Sequence, residues 1–236
     1  MIFKKLIQKT LALFGYSLVN LKKAGPINYS INKLLQDSYG HYHSRRQAVP
    51  VDNQGEALPW YTYPAIEFMK QLNLNQKTVF EWGCGNSTIF WGKRTSKTYS
   101  VEDNKDWFEK MQPRLLSNQK LIFAMDESAY VEEITKAETF FDIIVIDGNH
   151  RFSCAKKAIQ KLSEGGMIVL DNSDWYPKTS EFLRNQDLIE IDFHGLGPIN
   201  NYTWTTSIFL KRNYSFSPLT DRQPMTPIGG LPHLND

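Results

Sequence analysis

The sequence is poor in cysteine: its 236 residues contain only two, Cys84 and Cys154. Two isolated cysteines exclude a disulfide framework and a cysteine-based metal site. They favour a reducing compartment, which predicts a cytoplasmic protein. The net charge is also small, +2 at pH 7. With 41% apolar and 13% aromatic residues, the chain can still bury the core of one full α/β domain.

Acidic residues are nearly absent from residues 1–50, which contain eight of the 27 Lys and Arg residues but only one of the 25 acids. Residues 1–24 carry five lysines, and their apolar residues roughly follow helical spacing. Gln8 and Lys9 break the apolar run, so a transmembrane span is not expected, and a secretory signal is disfavoured. Two readings stay open: a helix packed on its own domain or on an oligomer partner, and a basic helix in peripheral contact with an anionic membrane.

Hydrophobic periodicity beyond residue 60 alternates between strands and helices. Strands are predicted at 78–82, 97–102, 120–125, 141–147, 167–171, 188–193 and 203–211. Helices between the first six strands imply an α/β fold, a doubly wound and mostly parallel seven-stranded sheet. The last connection is too short for a crossover helix, so the last two strands are expected to pair antiparallel. The predicted divisions are a basic N-terminal helix with a linker or lid, a Rossmann-like domain and an irregular tail: 1–59, 60–211 and 212–236.

The stretch from residue 79 to 104 is typical of a nucleotide-cofactor site. A strand leads into a glycine turn, where the backbone can approach a ligand closely, and polar residues then open a helix. A glutamate ends the next strand, where its carboxylate can accept hydrogen bonds from both ribose hydroxyls. The predicted cofactor-binding residues are Glu81, Gly83, Gly85, Asn86, Ser87 and Glu102.

An ordered set of motifs over residues 60–211 resembles the class I S-adenosylmethionine-dependent methyltransferases. The motifs are EWGCGNST at 81–88, VED at 101–103, an acidic turn at Asp126, FDIIVIDGNHR at 141–151 and LSEGGMIVLDN at 162–172. The resemblance implies S-adenosyl-L-methionine as cofactor, with the glycine turn against its methionine part, Glu102 on the ribose and Asp126 facing the adenine. Ser87 replaces the third glycine that is usual in this family, as in a subset with a G-x-G-N-S-T turn.

Polar residues end the fourth and fifth predicted strands: Asp147, and Asp171 with Asn172. Neighbouring strands lie about 4.8 Å apart, so these side chains can converge. The catechol-type branch of the family has such residues as ligands of a divalent cation, which implies Mg²⁺ bound to an acceptor hydroxyl. The alternative is that Asp147 forms a turn and Asp171 begins a cap for the following helix.

Two residues that follow Asp147 also have candidate roles. His150 is a candidate general base, because an imidazole titrates near neutral pH, and Asp147 is the second candidate catalytic residue. A local bond at a helix start explains His150 equally well. Arg151 is interpreted as a solvated charge at the same helix start.

Aromatic and amide side chains suit stacking and hydrogen bonding to a sugar or another polyhydroxyl compound, although core packing also explains many of them. The predicted acceptor-binding residues are Tyr61, Trp175, Asn200, Asn201 and Tyr202. Methyl transfer to a hydroxyl of a small molecule or glycan is the leading hypothesis. Nucleic-acid methylation is less favoured, because the core is acidic and no Asn-Pro-Pro-Tyr motif is present. A non-catalytic cofactor-binding or assembly subunit is the alternative from another class, and the oligomeric state stays open.

Overall fold

The computed structural model describes Ile7, Thr10, Leu11 and residues 32–230. The predicted helix over residues 1–24, and with it the predicted membrane contact, lies almost entirely outside the described residues. Within the described ranges, no helix is both long and apolar enough to cross a membrane.

A mixed seven-stranded sheet runs through the domain in the order β3-β2-β1-β4-β5-β7-β6. Its strands are β1 Thr78–Trp82, β2 Lys97–Glu102, β3 Gln119–Phe123, β4 Phe141–Ile146, β5 Leu162–Leu170, β6 Leu188–Gly195 and β7 Trp204–Lys211. The first five strands are parallel, whereas β7 pairs antiparallel with both β5 and β6. The predicted α/β fold and its C-terminal antiparallel hairpin are therefore confirmed.

Helices connect the parallel strands. The α-helices between residues 32 and 230 are α1 His41–Gln47, α2 Tyr63–Lys70, α3 Asn86–Gly92, α4 Lys105–Met111, α5 Glu127–Glu132, α6 Arg151–Lys161 and α7 Pro177–Arg184. One 3₁₀ turn, Gln112–Arg114, continues α4, and another, Glu133–Lys136, continues α5.

Both faces of the sheet are buried, which explains the uninterrupted apolar run in β4. Ile144 and Ile146 pack on one side with Ala155 of α6. Ile143 and Val145 pack on the other side among α2 and α3 residues. The central strands are therefore held between two apolar layers, and only their carboxyl ends reach solvent-accessible cavities.

β5 begins earlier than the sequence predicted. In the sequence, Gly165 and Gly166 follow a predicted helix and are typical of a helix end, but in the structure they lie inside the strand, where the pairing with β4 shifts register. Gly165 has a φ of +71°, and a Cβ on Gly166 would lie 2.7 Å from the carbonyl oxygen of Asp142. The glycine pair therefore permits an irregularity in the strand rather than a helix end.

The segment predicted as a linker or lid is packed on the domain. The buried Ser44 hydroxyl donates to the Val51 carbonyl at 2.6 Å and accepts from the Val51 amide at 2.9 Å. The Asn86 amide donates to the Pro50 carbonyl at 2.6 Å. Residues 44–51 therefore form a fixed wall beside the glycine turn. The division of the chain into three parts stays a prediction.

Candidate functional site

The glycine turn after β1 is a close contact between two backbone segments. Gly83 has a φ of +91°, and a Cβ there would lie 3.2 Å from the Cα of Gly148, which follows β4. A Cβ on Gly148 would in turn lie 2.0 Å from the Tyr130 hydroxyl. Because neither position has room for a side chain, the two glycines allow the segments that follow β1 and β4 to approach each other closely.

Glu102, at the end of β2, is held by the turn itself. One carboxylate oxygen accepts from the Cys84 amide at 3.1 Å, and the other accepts from the Asn104 amide at 2.9 Å. Burial raises the pKa of Glu102, and these backbone donors oppose the rise. The Cys84 thiol is a further hydrogen-bond partner of this carboxylate, whose remaining lone pairs can accept from a ligand hydroxyl.

Two cavities open above the carboxyl edge of the sheet. The smaller cavity, 260 Å³, is bordered by polar groups that include Glu102, Asp103, Tyr130 and Asn149. The larger cavity, 490 Å³, has an aromatic wall formed by Trp60, Trp107, Trp175, Tyr202 and Trp204. Four residues border both cavities: Cys84, Ser87, Asp147 and Arg151. We call these four residues the junction.

Arg151 is the best-connected side chain of the junction. It is 8% exposed, and its guanidinium donates to the Asp147 carboxylate at 3.2 Å, to the Gly148 carbonyl at 2.9 Å and to the Asp171 carbonyl. It also lies 4.4 Å from the ring centroid of Tyr176. The interpretation of Arg151 as a solvated charge is wrong, since the guanidinium is buried between the ends of β4 and β5.

The two carboxyl groups beside Arg151 differ in their surroundings. Asp171 is 2% exposed, and its Oδ1 accepts from the Trp204 indole at 3.0 Å and from the Thr206 hydroxyl at 2.5 Å. Burial raises the pKa of Asp171, and the charge of Asp147 raises it further. Burial also raises the pKa of Asp147, while Arg151 lowers it. Asp147, which borders both cavities, is therefore the carboxyl group available to a ligand.

No protein-family model and no curated protein sequence matches this chain. Solved structures do match. A precorrin-6y C5,15-methyltransferase from Geobacter metallireducens superposes with a TM-score of 0.50 at 14% identity, over 61% of this chain and 87% of that chain. The fold is that of class I methyltransferases.

Other solved structures also match. An rRNA methylase from Streptococcus thermophilus gives a TM-score of 0.48 at 15% identity, over 59% of this chain and 90% of that chain. A tRNA (m1A58) methyltransferase from Aquifex aeolicus gives 0.46 at 19% identity, over 66% and 72%. At 14% identity, the superposition on the precorrin methyltransferase shows the fold alone, and the chemistry depends on the site itself.

The structure brings most of the predicted cofactor residues together. Gly83, Ser87 and Glu102 border the smaller cavity, whereas Gly85 and Asn86 border the larger one. Glu81 is fully buried below them, where it accepts from the Thr88 and Ser100 hydroxyls at 2.6 and 2.8 Å. Glu81 therefore supports the turn from inside the core and does not border either cavity.

Asp126 and His150 lie outside both cavities, which corrects their predicted roles. Asp126 caps α5 by accepting from the Ala129 amide at 3.0 Å, and it borders a separate surface depression. His150 has a φ of +53°, and its Nδ1 lies 3.3 Å from the exposed Glu127 carboxylate. The imidazole is therefore not placed to act on a ligand at the junction.

The predicted acceptor residues divide into two groups. Trp175, Asn200 and Tyr202 border the larger cavity. Asn201 is exposed and does not border it. Tyr61 is fully buried in the core, where it packs in the cluster that contains Tyr63 and Ile66 of α2. A direct contact between Tyr61 and an acceptor is therefore corrected to a packing role.

The predicted magnesium ligands Asp147, Asp171 and Asn172 all border the larger cavity, but they fit the ion poorly. Oδ1 of Asp171 already accepts two hydrogen bonds, and the Asp147 carboxylate faces Arg151, which supplies the positive charge a metal would bring. Within the described ranges, no three His, Cys, Asp or Glu side chains are grouped to hold a metal. The junction is built around a guanidinium.

Sequence reasoning missed a basic group on the wall of the larger cavity. Trp107, Lys110 and Arg114 all border this cavity, and the Lys110 ammonium lies 4.6 Å from the Trp107 ring centroid. Trp107 and Lys110 lie three residues apart on α4, and Arg114 follows in the 3₁₀ turn that continues this helix. The spacing of three and four residues is the sequence signal for this group.

Proposed function

We infer that the chain is an S-adenosylmethionine-dependent methyltransferase that acts on a hydroxyl of a small molecule or glycan. The observation that carries this proposal is the junction: a polar cavity beside Glu102 and an aromatic cavity meet at Cys84, Ser87, Asp147 and Arg151. Two cavities that meet at one carboxylate suit a reaction in which a cofactor and an acceptor must touch at one point.

The proposed cofactor site lies beside the glycine turn after β1 and the end of β2. Gly83, Gly148 and Glu102 all border the smaller cavity, where the Glu102 carboxylate can accept hydrogen bonds from ribose hydroxyls. Bound S-adenosylmethionine would supply an activated methyl group on a sulfonium. Tyr130 and Asn149 close the far side of the smaller cavity, where a base would lie.

Asp147 is the group proposed to take the proton of the acceptor hydroxyl. As the oxygen–methyl bond forms and the sulfur–methyl bond breaks, that proton passes to the Asp147 carboxylate. Burial raises the pKa of Asp147, which makes it a better proton acceptor than an exposed aspartate. Arg151 fixes the carboxylate at 3.2 Å and holds it toward the junction.

The proposed acceptor site is the larger cavity, which is bordered by exposed aromatic rings. Trp175 and Tyr202 are each about half exposed, and their ring centroids lie 6.3 Å apart at the mouth of the larger cavity. Large aromatic side chains exposed beside a cavity are typical of ligand contact. Their faces suit a sugar ring or a similar polyhydroxyl compound, which supports a hydroxyl as the methyl acceptor.

Calorimetry with S-adenosylhomocysteine and labelled methyl transfer into fractionated extract test this function. We expect tight binding of the nucleoside and base-stable labelling, as in a methyl ether. Asp147→Asn should retain nucleoside affinity and lose most turnover. No binding would contradict the proposal, and binding without transfer to any fraction would favour the assembly-subunit alternative. Assays in chelator, with and without Mg²⁺, test the magnesium prediction.

A further inference from the structure

Lys110 and Arg114 are cations without a carboxylate partner on the wall of the larger cavity. Lys110 contacts the Trp107 ring, and Arg114 donates to Asn86 Oδ1 at 2.8 Å. Neither forms an ion pair with any part of the chain that the structure describes. Lys105, on the same helix, differs, because it lies 3.9 Å from Glu109.

Lys110 and Arg114 are connected to the glycine turn through Trp107 and Asn86. The Trp107 indole donates to the Cys84 carbonyl at 2.7 Å, and Asn86, which holds Arg114, directly precedes Ser87. Cys84 and Ser87 both belong to the junction. An anion bound by Lys110 and Arg114 would therefore lie next to the site of methyl transfer, inside the cavity that also has the aromatic wall.

The carboxylates that border this cavity have other partners. Asp147 pairs with Arg151, and Asp171 accepts from Trp204 and Thr206. The amino-acid end of S-adenosylmethionine carries both an ammonium and a carboxylate, so it has no net charge with which to balance two cations. Two unpaired cations beside aromatic rings instead match a ligand with a net negative charge.

We propose that the methyl acceptor is a hydroxylated ring compound that carries a phosphate or carboxylate group, and that Lys110 and Arg114 bind this group. The inference rests on the proposed methyl transfer and names the acceptor class. The Arg114 guanidinium, already oriented by Asn86, presents its remaining N–H groups to the anion. The Lys110 ammonium adds a charge that is free to move over the Trp107 ring.

Matched sugar probes test this inference. Glucose 6-phosphate and glucose, and likewise glucuronate and glucose, differ in an anionic group on the same ring. Binding is measured by tryptophan fluorescence and calorimetry, with and without S-adenosylhomocysteine. We expect each anionic probe to bind at least about tenfold more tightly than glucose, since a charge-assisted hydrogen bond contributes about that factor. Inorganic phosphate should compete with both anionic probes.

Variants test whether Lys110 and Arg114 cause the preference for anionic probes. Lys110→Ala with Arg114→Ala should abolish the preference for the anionic probes and leave the affinity for S-adenosylhomocysteine within about twofold. Lys105→Ala, on the same helix but paired with Glu109, should keep the preference. Circular dichroism checks that each variant is folded.

The outcomes separate the two proposals. Equal binding of charged and neutral sugars, or no binding of any probe including phosphate, overturns the anionic acceptor. An equal loss of nucleoside affinity in the double variant also overturns it, because the cations would then serve the cofactor. If the wild type shows the anion preference but never binds the nucleoside, the anion site stands and the methyltransferase function fails.

Discussion

Asp147 and Arg151 form a largely buried ion pair, with 3.2 Å between the Asp147 Oδ1 and the Arg151 Nη2. The same guanidinium donates to the carbonyl of Asp171, at the end of β5. One side chain therefore fixes the ends of two neighbouring parallel strands and orients the carboxylate where the two cavities meet. The position of Asp147 and the integrity of this sheet edge depend on the same group.

Removal of the Arg151 guanidinium should lower the free energy of unfolding substantially. Arg151→Ala leaves the Asp147 carboxyl group without its counter-charge and removes the guanidinium donor from three backbone carbonyl groups, those of Asp147, Gly148 and Asp171. We expect a loss of about 3 kcal/mol in the free energy of unfolding, measured by urea denaturation at neutral pH. The control is Arg184→Ala, whose ion pair with Glu190 lies at the surface and should contribute less than about 1 kcal/mol. Equal losses in the two variants would contradict a structural role for Arg151.

Glu102 should dominate nucleoside affinity. Its carboxylate is already oriented by two backbone amides, so Glu102→Gln replaces one acceptor oxygen with a donor that faces an N–H. We expect S-adenosylhomocysteine to bind about ten- to a hundredfold more weakly, because hydrogen bonds to a charged group are lost. Calorimetry measures this change. A variant with unaltered affinity would remove Glu102 from the cofactor site.

Asp126 should not affect nucleoside affinity, although the family resemblance predicts that it faces the adenine. In the structure it caps α5 and borders neither of the two cavities. Asp126→Ser keeps a capping oxygen, so we expect normal folding and binding of S-adenosylhomocysteine within about twofold of the wild type. A tenfold loss in the same calorimetric assay would restore the predicted contact.

Local sequence patterns were sufficient to predict the sheet and the glycine turn. The bounds of β1 and β2 were predicted correctly. The β6–β7 hairpin was predicted because the connection between these two strands is too short for a crossover helix. Gly83 was recognisable because a positive φ and a close approach both require glycine.

Long-range contacts explain what the sequence did not predict. Arg151 occupies the start of a helix, where most arginines are solvated, and its burial depends on the Asp171 carbonyl, which is 20 residues away. Tyr61 resembles other aromatic residues that flank helices, and it is buried in a core cluster that includes the distant residues Val169 and Ile208. Asp126 follows β3 as expected, but it caps α5 through the Ala129 amide and borders a separate surface depression. None of these outcomes can be deduced from neighbouring residues alone.

A comparison of Gly83→Ala with Gly55→Ala should separate the effect of backbone strain from that of steric crowding at the glycine turn. The substitution combines an unfavourable φ of +91° with a contact of 3.2 Å to Gly148. Gly55→Ala is the matched control, because its φ is +81° but no atom lies within 4 Å of the added carbon. We expect Gly55→Ala to lose about 1 kcal/mol of unfolding free energy from strain alone, and Gly83→Ala to lose more and to weaken nucleoside binding. Similar losses with unchanged binding would show that the turn tolerates a side chain.

Glu81 should make stability fall as the pH rises. Burial raises its pKa from 4.5 to about 7, so the folded chain holds a proton that the unfolded chain has already released at intermediate pH. The stabilising contribution is fully present below about pH 4.5 and is lost as the pH rises through about 7. This pKa shift corresponds to a contribution of about 3 kcal/mol to the free energy of unfolding.

Glu81→Gln isolates this contribution, because the amide stays neutral and its oxygen can still accept from the Thr88 and Ser100 hydroxyls. Unfolding free energies from urea denaturation at several values between pH 5 and 8 should decline less in this variant than in the wild type, by about 3 kcal/mol over the range. Asp147 and Asp171 are present in both proteins, so the difference between the two curves reports Glu81. Glu109→Gln, at an exposed position, should reproduce the wild-type curve. Parallel curves for Glu81→Gln and the wild type would mean that Glu81 is ionised in the folded chain at pH 5, and a buried proton would no longer account for how the turn is supported.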